Sequence, residues 1–267
     1  MANGKQTLMA ETASGTTYEF LLRRILAKKA TLDNRRPLPS TTVAKLKEHL
    51  HVAWTYHSNA IEGSSITLPE TRAILLDGLT VNGKPLREHL EVINHKHAID
   101  FVETLVADDE PLTEHTIRQI HALVLRTIDD ENAGRYRRVQ VYITGSEYVP
   151  PEPVAVPPLM HDFGQWLASD GFVELHAVEQ ATLAHFRLVD IHPFVDGNGR
   201  TARLLMNLLL IRHGYPPAVI RYESRPAYYA ALEKAHQKEN EPFLTLVAKA
   251  VDRSLDMYLA ATEPMED

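Results

Sequence analysis

Apolar positions recur at helical spacing along most of this chain. Phe20, Leu21, Ile25 and Leu26 predict a helix over residues 18–32, and Asn34-Arg35-Arg36-Pro37-Leu38-Pro39 breaks it. Val43, Leu46, Leu50, Ala53, Trp54 and His57 predict a second, capped by Ser40 or Thr41 and carried through Ser58-Asn59-Ala60-Ile61-Glu62 to end near Gly63. Thr67-Leu68-Pro69-Glu70 is a capping box for a short helix through Leu79, and Val81-Asn82-Gly83-Lys84-Pro85 is a turn. Leu90, Ile93, His97, Phe101 and Leu105 mark the next helix, and Thr113 caps another bearing Ile117, Ile120 and Val124. Leu159, Phe163, Trp166 and Leu167 form one stripe, and Val178, Leu183, Phe186 and Val189 another that leads to His192. Ser224 caps a helix bearing Tyr228, Tyr229 and Leu232, and Leu244, Val247, Val251, Leu255 and Tyr258 define the last.

One stretch breaks the pattern. Residues 139–143 alternate and are rich in β-branched and aromatic side chains, Thr144-Gly145-Ser146 is a turn, and Tyr148-Val149 returns. This predicts a β-hairpin; the bland reading is an irregular surface loop. The fold class expected is therefore all-α with one β-hairpin, in one helical domain. Residues 1–16 are polar and expected to be mobile, and the proline-rich residues 150–158 are a connector.

The most informative stretch is His192-Pro193-Phe194-Val195-Asp196-Gly197-Asn198-Gly199-Arg200-Thr201-Ala202-Arg203. It runs into Leu204-Leu205-Met206-Asn207-Leu208-Leu209-Leu210-Ile211, and Arg212-His213-Gly214-Tyr215-Pro216-Pro217 makes a helix stop. Residues 196–200 then form a turn at a helix N-terminus, where unpartnered N–H groups and the dipole favour an anion such as phosphate. Gly197 and Gly199 let the backbone approach closely, Arg200 and Arg203 add charge, Asp196 suits a cation, and His192 suits a base. Singly these are weak signals; together within twelve residues they point to phosphate chemistry.

The formal net charge of −7 gives no basic field for nucleic acid, and no apolar run is long enough to span a bilayer. No cysteine is present, which excludes a disulfide, a thiolate nucleophile and a cysteine metal site, and a cytoplasmic setting is expected. Fourteen histidines show no H-E-x-x-H spacing, and His95, His97, His115 and His121 are most simply packed or surface residues.

The signature stretch resembles that of the Fic family, H-P-F-x-[DE]-G-N-G-R-x-x-R, and matches it at every fixed position. Ser58-Asn59-Ala60-Ile61-Glu62-Gly63 is similar to the family's inhibitory pattern [ST]-x-x-x-E-[GN]; its place before the signature is that of Fic enzymes with an N-terminal inhibitory helix. Ser58 and Glu62 share a helix face on spacing alone. The resemblance implies an N-terminal segment over residues 1–40, a Fic domain over 41–262, with the inhibitory helix at about 41–63 and a flap at about 139–150, and a tail over 263–267.

It further implies a protein adenylyltransferase that moves AMP from ATP to a hydroxyl side chain of a target protein docked on the flap. His192 takes the hydroxyl proton, and Asp196 holds Mg²⁺. Gly197, Asn198, Gly199 and Thr201 belong to the phosphate cradle, and Arg200 and Arg203 hold the β- and γ-phosphates. Ile143 lies on the nucleotide side of the flap, Tyr228 and Tyr229 line the adenine pocket, and His236 stands where relatives carry Asn. Glu62 pairs with Arg203 and inhibits, with Ser58 on the same face. Leu86 falls at a homodimer contact. No nucleic acid or membrane partner is expected. Two alternatives stand: removal of AMP by the same residues with Glu62 aligning water, and a non-catalytic nucleotide- or peptide-binding module.

Overall fold

A helix that is apolar around its whole circumference has to be buried. The run after the glycine-rich turn obeys this: Leu204, Leu205, Met206, Leu208 and Leu210 have no exposed surface. The computed structural model describes residues 16–263. In chain order the helices are α1 (Thr17–Asn34), α2 (Ser40–Ile61), α3 (Leu68–Asp77), α4 (Leu86–Ala107), α5 (Glu114–Leu125), α6 (Val156–Leu167), α7 (Asp170–Val173), α8 (Ala177–Ile191), α9 (Asn198–Arg212), α10 (Arg225–His236) and α11 (Glu241–Ala261).

Helix α9, buried throughout residues 201–210, is the axis. Leu205, Met206, Leu209 and Leu210 on one side join a core with α1, α6, α8 and α11. Leu204 and Leu208 on the other side join a second core with Trp54 of α2, Ile99 and Val102 of α4 and Ile120 of α5. Helix α1 packs along α11, with Leu21, Ile25 and Leu32 in the first core. Helices α2 and α4 close over the N-terminal half of α9, which brings the end of α2 to the signature turn. Among the described residues no helix is long and apolar enough to cross a membrane.

Local signals set most helix ends. Thr67 and Glu70 form the expected capping box, and Thr113 caps α5 by accepting from the Thr116 N–H. Two expected caps fail. Pro39, extended at φ −57° and ψ 126°, takes the N-cap position of α2, so Ser40 is already helical. Ser224 sits at the N-cap of α10 but makes no capping bond, because a 3₁₀ turn, Tyr222–Ser224, runs directly into the helix. Helix α3 stops at Asp77, two residues short of Leu79, because Gly78 takes the left-handed conformation at φ 66°. The expectation for residues 1–16 and the tail falls almost wholly outside the described residues.

The β-hairpin expected over 139–150 is not formed: the described residues contain helices, turns and extended segments but no β-strand. The turn is there, closed by Ser146 N–H donating to Ile143 O at 3.1 Å, with Gly145 at φ 80°. The flanking arms carry no ladder. A lone two-stranded hairpin is marginal in water, and here side chains take over the backbone groups. Gln140 Nε2 donates to Pro150 O at 2.9 Å, Arg137 Nη1 to Val139 O at 3.1 Å and Arg137 Nη2 to Pro151 O. Tyr148 Oη donates to Asp190 O at 2.8 Å, tying the second arm to α8.

Candidate active site

Helix α8 ends at Ile191 and delivers His192 in the left-handed region, φ 49° and ψ 58°, an uncommon place for a residue with a Cβ. Buried Arg137 fixes it: its Nε donates to His192 O at 2.8 Å, and its backbone N–H donates to Pro193 O at 2.9 Å. Phe194 is fully buried and stacks on His121, with ring centroids 3.6 Å apart. Asn198 closes the turn reciprocally, accepting from Phe194 N–H at 3.0 Å and donating to Phe194 O at 2.8 Å. Its side chain is thus used within the turn. His121 accepts from Gly134 N–H at Nδ1, so Nε2 carries the proton and donates to Asp196 O at 2.9 Å. Burial depresses its pKa to about 4, which keeps that tautomer neutral.

Gly197 caps α9 at φ 77°, where a Cβ would press on Val124 and His121 at 3.3–3.4 Å. Gly199 is required for a different reason. A Cβ there would lie 2.3 Å from Glu62 Oε1 and 3.1 Å from Arg203 Nη1. The missing side chain at the start of α9 is therefore what leaves room for the Glu62 carboxylate. Thr201 is fully buried and its hydroxyl has no protein partner.

Six charged side chains converge here, Arg203, Glu62, Arg200, Glu91, Asp196 and Arg87. Arg203 is buried and receives four partners: Ser58 Oγ at 3.0 Å, Ser58 O at 2.9 Å, Glu62 Oε1 at 2.7 Å and Tyr228 Oη at 3.3 Å. Burial works against its charge, but Glu62 and Tyr228 outweigh it and raise its pKa. Tyr228 Oη in turn shares a hydrogen bond of 3.1 Å with His185 Nε2. Arg200, also buried, binds Glu91 at 3.2 Å and Asp196 at 3.1 Å. Burial pushes the Asp196 carboxyl up, but Arg200, the Gly197 N–H and Arg87 together hold it below the usual carboxylate range.

His192 Nδ1 lies 3.3 Å from Val189 O, and a carbonyl can only accept, so Nδ1 carries the hydrogen and the Nε2 lone pair is free. Burial, reinforced by Arg137, lowers its pKa to about 4, against a weaker upward pull from the Val189 carbonyl and Glu62. The neutral base is therefore the resting form above that pH.

His192, Glu62, Gly199 and Ile143 line a cavity of about 270 Å³, walled by Tyr228, Tyr229 and His236. Four larger clefts, of about 400, 420, 450 and 750 Å³, are not lined by His192; the convergence of polar groups, not size, marks the smaller one. His236 stacks on Tyr148 with centroids 3.6 Å apart and binds Asp190 at 2.9 Å. Leu86 is far more exposed than any of these, at 73%.

Sequence reasoning missed several positioning groups. Arg137, Arg87, Glu91 and His121 reach the motif from positions 55 to 109 residues away or through backbone carbonyls. Arg225 donates to Ile61 O at 2.7 Å and stacks over Tyr229, and Tyr229 Oη donates to the same carbonyl, so α10 holds the C-terminus of α2. Only Arg225 carries a local hint, a basic residue suited to a helix C-terminus but on another element.

The sequence profile of the Fic/DOC family matches residues 111–210. Protein adenylyltransferase Fic of Nematostella vectensis is 43% identical over 227 residues, which is 85% of this chain and 53% of the relative. The protein of the same name from Drosophila melanogaster is 39% identical over 241 residues, 88% of this chain and 49% of the relative. Fic-1 from C. elegans superposes with a TM-score of 0.82 at 35% identity, covering 91% of this chain and 73% of that one. A Fic-domain signalling protein from Bacteroides thetaiotaomicron gives 0.82 at 27% identity, covering 94% and 99%. The chain belongs to the Fic/DOC family. It spans about half the length of the curated relatives it matches.

Proposed function

We propose that this chain is a protein adenylyltransferase that moves AMP from ATP to a target hydroxyl and is held in check by Glu62. The observation that carries this reading is the Glu62–Arg203 pair, 2.7 Å apart, in the cavity that His192 lines. The relatives named above bear the name of this activity.

His192 accepts the proton of a Ser, Thr or Tyr hydroxyl at Nε2, and the oxygen attacks the α-phosphorus while pyrophosphate leaves. The low proton affinity of His192 suits it to be unprotonated at rest. The backbone N–H groups at the start of α9 cradle phosphate oxygens, and Arg203, once released by Glu62, holds the γ-phosphate. Asp196 is the residue that would hold Mg²⁺: its carboxyl is ionised and partly exposed, and one carboxylate suits an ion that completes its shell with water and phosphate. When bound, the ion supplies charge compensation on the phosphates. Among the described residues, the one group of three His, Asp and Glu side chains within metal-ligand reach is His51–Asp100–Glu103, away from this turn.

Tyr228 and Tyr229 form the base pocket, with Ile143 and His236 at its edge. The extended segment 139–150, with Val139, Tyr142 and Val149 exposed, receives the target. Residues 41–262 constitute the catalytic unit. Removal of AMP is the second reading, favoured by Glu62 and His192 facing one cavity, where the carboxylate aligns a water.

The test uses purified protein and a Glu62→Gly variant with ATP labelled at either the α- or the γ-phosphate. Transfer of the α-label alone to protein is expected; transfer of the γ-label would overturn nucleotidyl transfer.

A homodimer through Leu86, exposed at the start of α4, completes the proposal. Sedimentation should give a dimer for wild type and a monomer for Leu86→Asp. A wild type already monomeric at micromolar concentration removes it.

A further inference from the structure

Both carboxylate oxygens of Asp196 are occupied, but by partners of different kinds. Oδ1 accepts from the Gly197 N–H and from Arg200 Nη2 at 3.1 Å. These are fixed donors: the Arg200 side chain is 3% exposed and is anchored on Glu91 through Nη1 at 3.2 Å. Oδ2 accepts from Arg87 Nη2 at 2.6 Å, and the Arg87 side chain is 55% exposed. Arg87 also holds Glu91 through Nε at 3.3 Å, so it keeps a carboxylate partner if it leaves Asp196. Of the side chains on Asp196, itself 43% exposed, the one on Oδ2 is therefore the one free to move away.

We infer that Arg87 gates metal binding: its guanidinium covers Asp196 Oδ2 at rest and competes with a divalent cation for that oxygen. This rests on the reading of Asp196 as the metal residue. A guanidinium and a divalent cation at one carboxylate oxygen would be like charges a few ångströms apart, so either disfavours the other. With Glu62 on Arg203, two of the ion pairs of the resting site then restrain groups that the reaction needs. One occupies the cation that would meet phosphate, and the other occupies the anion that would meet metal.

The experiment is a Mn²⁺ titration of the full ¹⁵N-labelled chain without nucleotide, read as paramagnetic broadening of the Gly197 and Asn198 amide signals. Arg87→Gln should lower the Mn²⁺ concentration for half-broadening about three- to tenfold at low salt, and the gap should shrink as salt screens the charge. Arg87→Lys, which keeps a charge but loses the planar fork, should fall between. Asp196→Asn should remove the broadening in either background. An unchanged or higher midpoint in Arg87→Gln overturns the inference; a higher one would mean that the guanidinium orients the carboxylate for metal. If that happens while broadening still depends on Asp196, only the role of Arg87 falls. Broadening indifferent to Asp196→Asn removes the metal reading of Asp196 and this inference together, and leaves the α-label test of AMP transfer standing.

Discussion

Replacing His192 by Ala should abolish AMP transfer while leaving the fold and ATP binding in place. The imidazole contributes little to packing, since the turn is held by Arg137 on the His192 carbonyl, by Asn198 on Phe194 and by the His121–Phe194 stack. What is lost is the Nε2 lone pair, and loss of a general base costs roughly 10²–10⁴-fold. Label incorporation from α-labelled ATP, compared in the Glu62→Gly background where turnover is expected to be high, measures the loss. Equal incorporation with and without His192 would rule out its role as base. The same assay carries a pH signature. A histidine of ordinary pKa would give an acid limb in kcat/KM near 6.5. Burial lowers His192 to about 4, so the base stays unprotonated as pH falls through 6.5, and the limb should shift toward that lower value. Removing Glu62 takes away a group that raises this pKa, which moves the limb in the same direction.

Replacing Glu62 by Gly should raise self-modification and target labelling well above wild type. Two unit charges about 4 Å apart at an effective dielectric near 20 interact by roughly 4 kcal/mol. The Glu62 side chain is 34% exposed, so solvent takes part of that. Even about 1.4 kcal/mol of the remainder is a factor of ten in rate. The steric term adds to it, because the carboxylate crowds the Gly199 position at the start of α9, where the proposed reaction would seat phosphate. Removal of Glu62 leaves Arg203 with Ser58 and Tyr228, so the guanidinium stays in place and becomes available to the γ-phosphate. Glu62→Asp should fall between, since the shorter chain reaches Arg203 less well. If Glu62 also aligns a water for AMP removal, Glu62→Gly should lose that activity as it gains transfer.

The helices were legible because their signals are local: a capping box at Thr67 and Glu70, a glycine stop beyond Arg212, an apolar run that only burial explains. Spacing alone placed Ser58 and Glu62 on one helix face; that Glu62 meets Arg203, 141 residues away, was legible only through the resemblance to the Fic family. The hairpin was misread for a physical reason. Alternation specifies two faces, but a ladder also needs a stable partner, and here Arg137 and Gln140 satisfied the carbonyls instead. Arg87, Glu91 and His121 carried no readable signal. Each is an ordinary residue on a helix face until α4 and α5 dock on the signature turn and aim it at Asp196 or Arg200.

Rates of α-label incorporation for wild type and Glu62→Gly, measured side by side with both proteins folded, test the central claim most directly. Restraint by the Glu62–Arg203 pair predicts a rise of about tenfold or more in Glu62→Gly. Equal rates would contradict it and reduce Glu62 to a partner of Arg203 with no hold on the reaction.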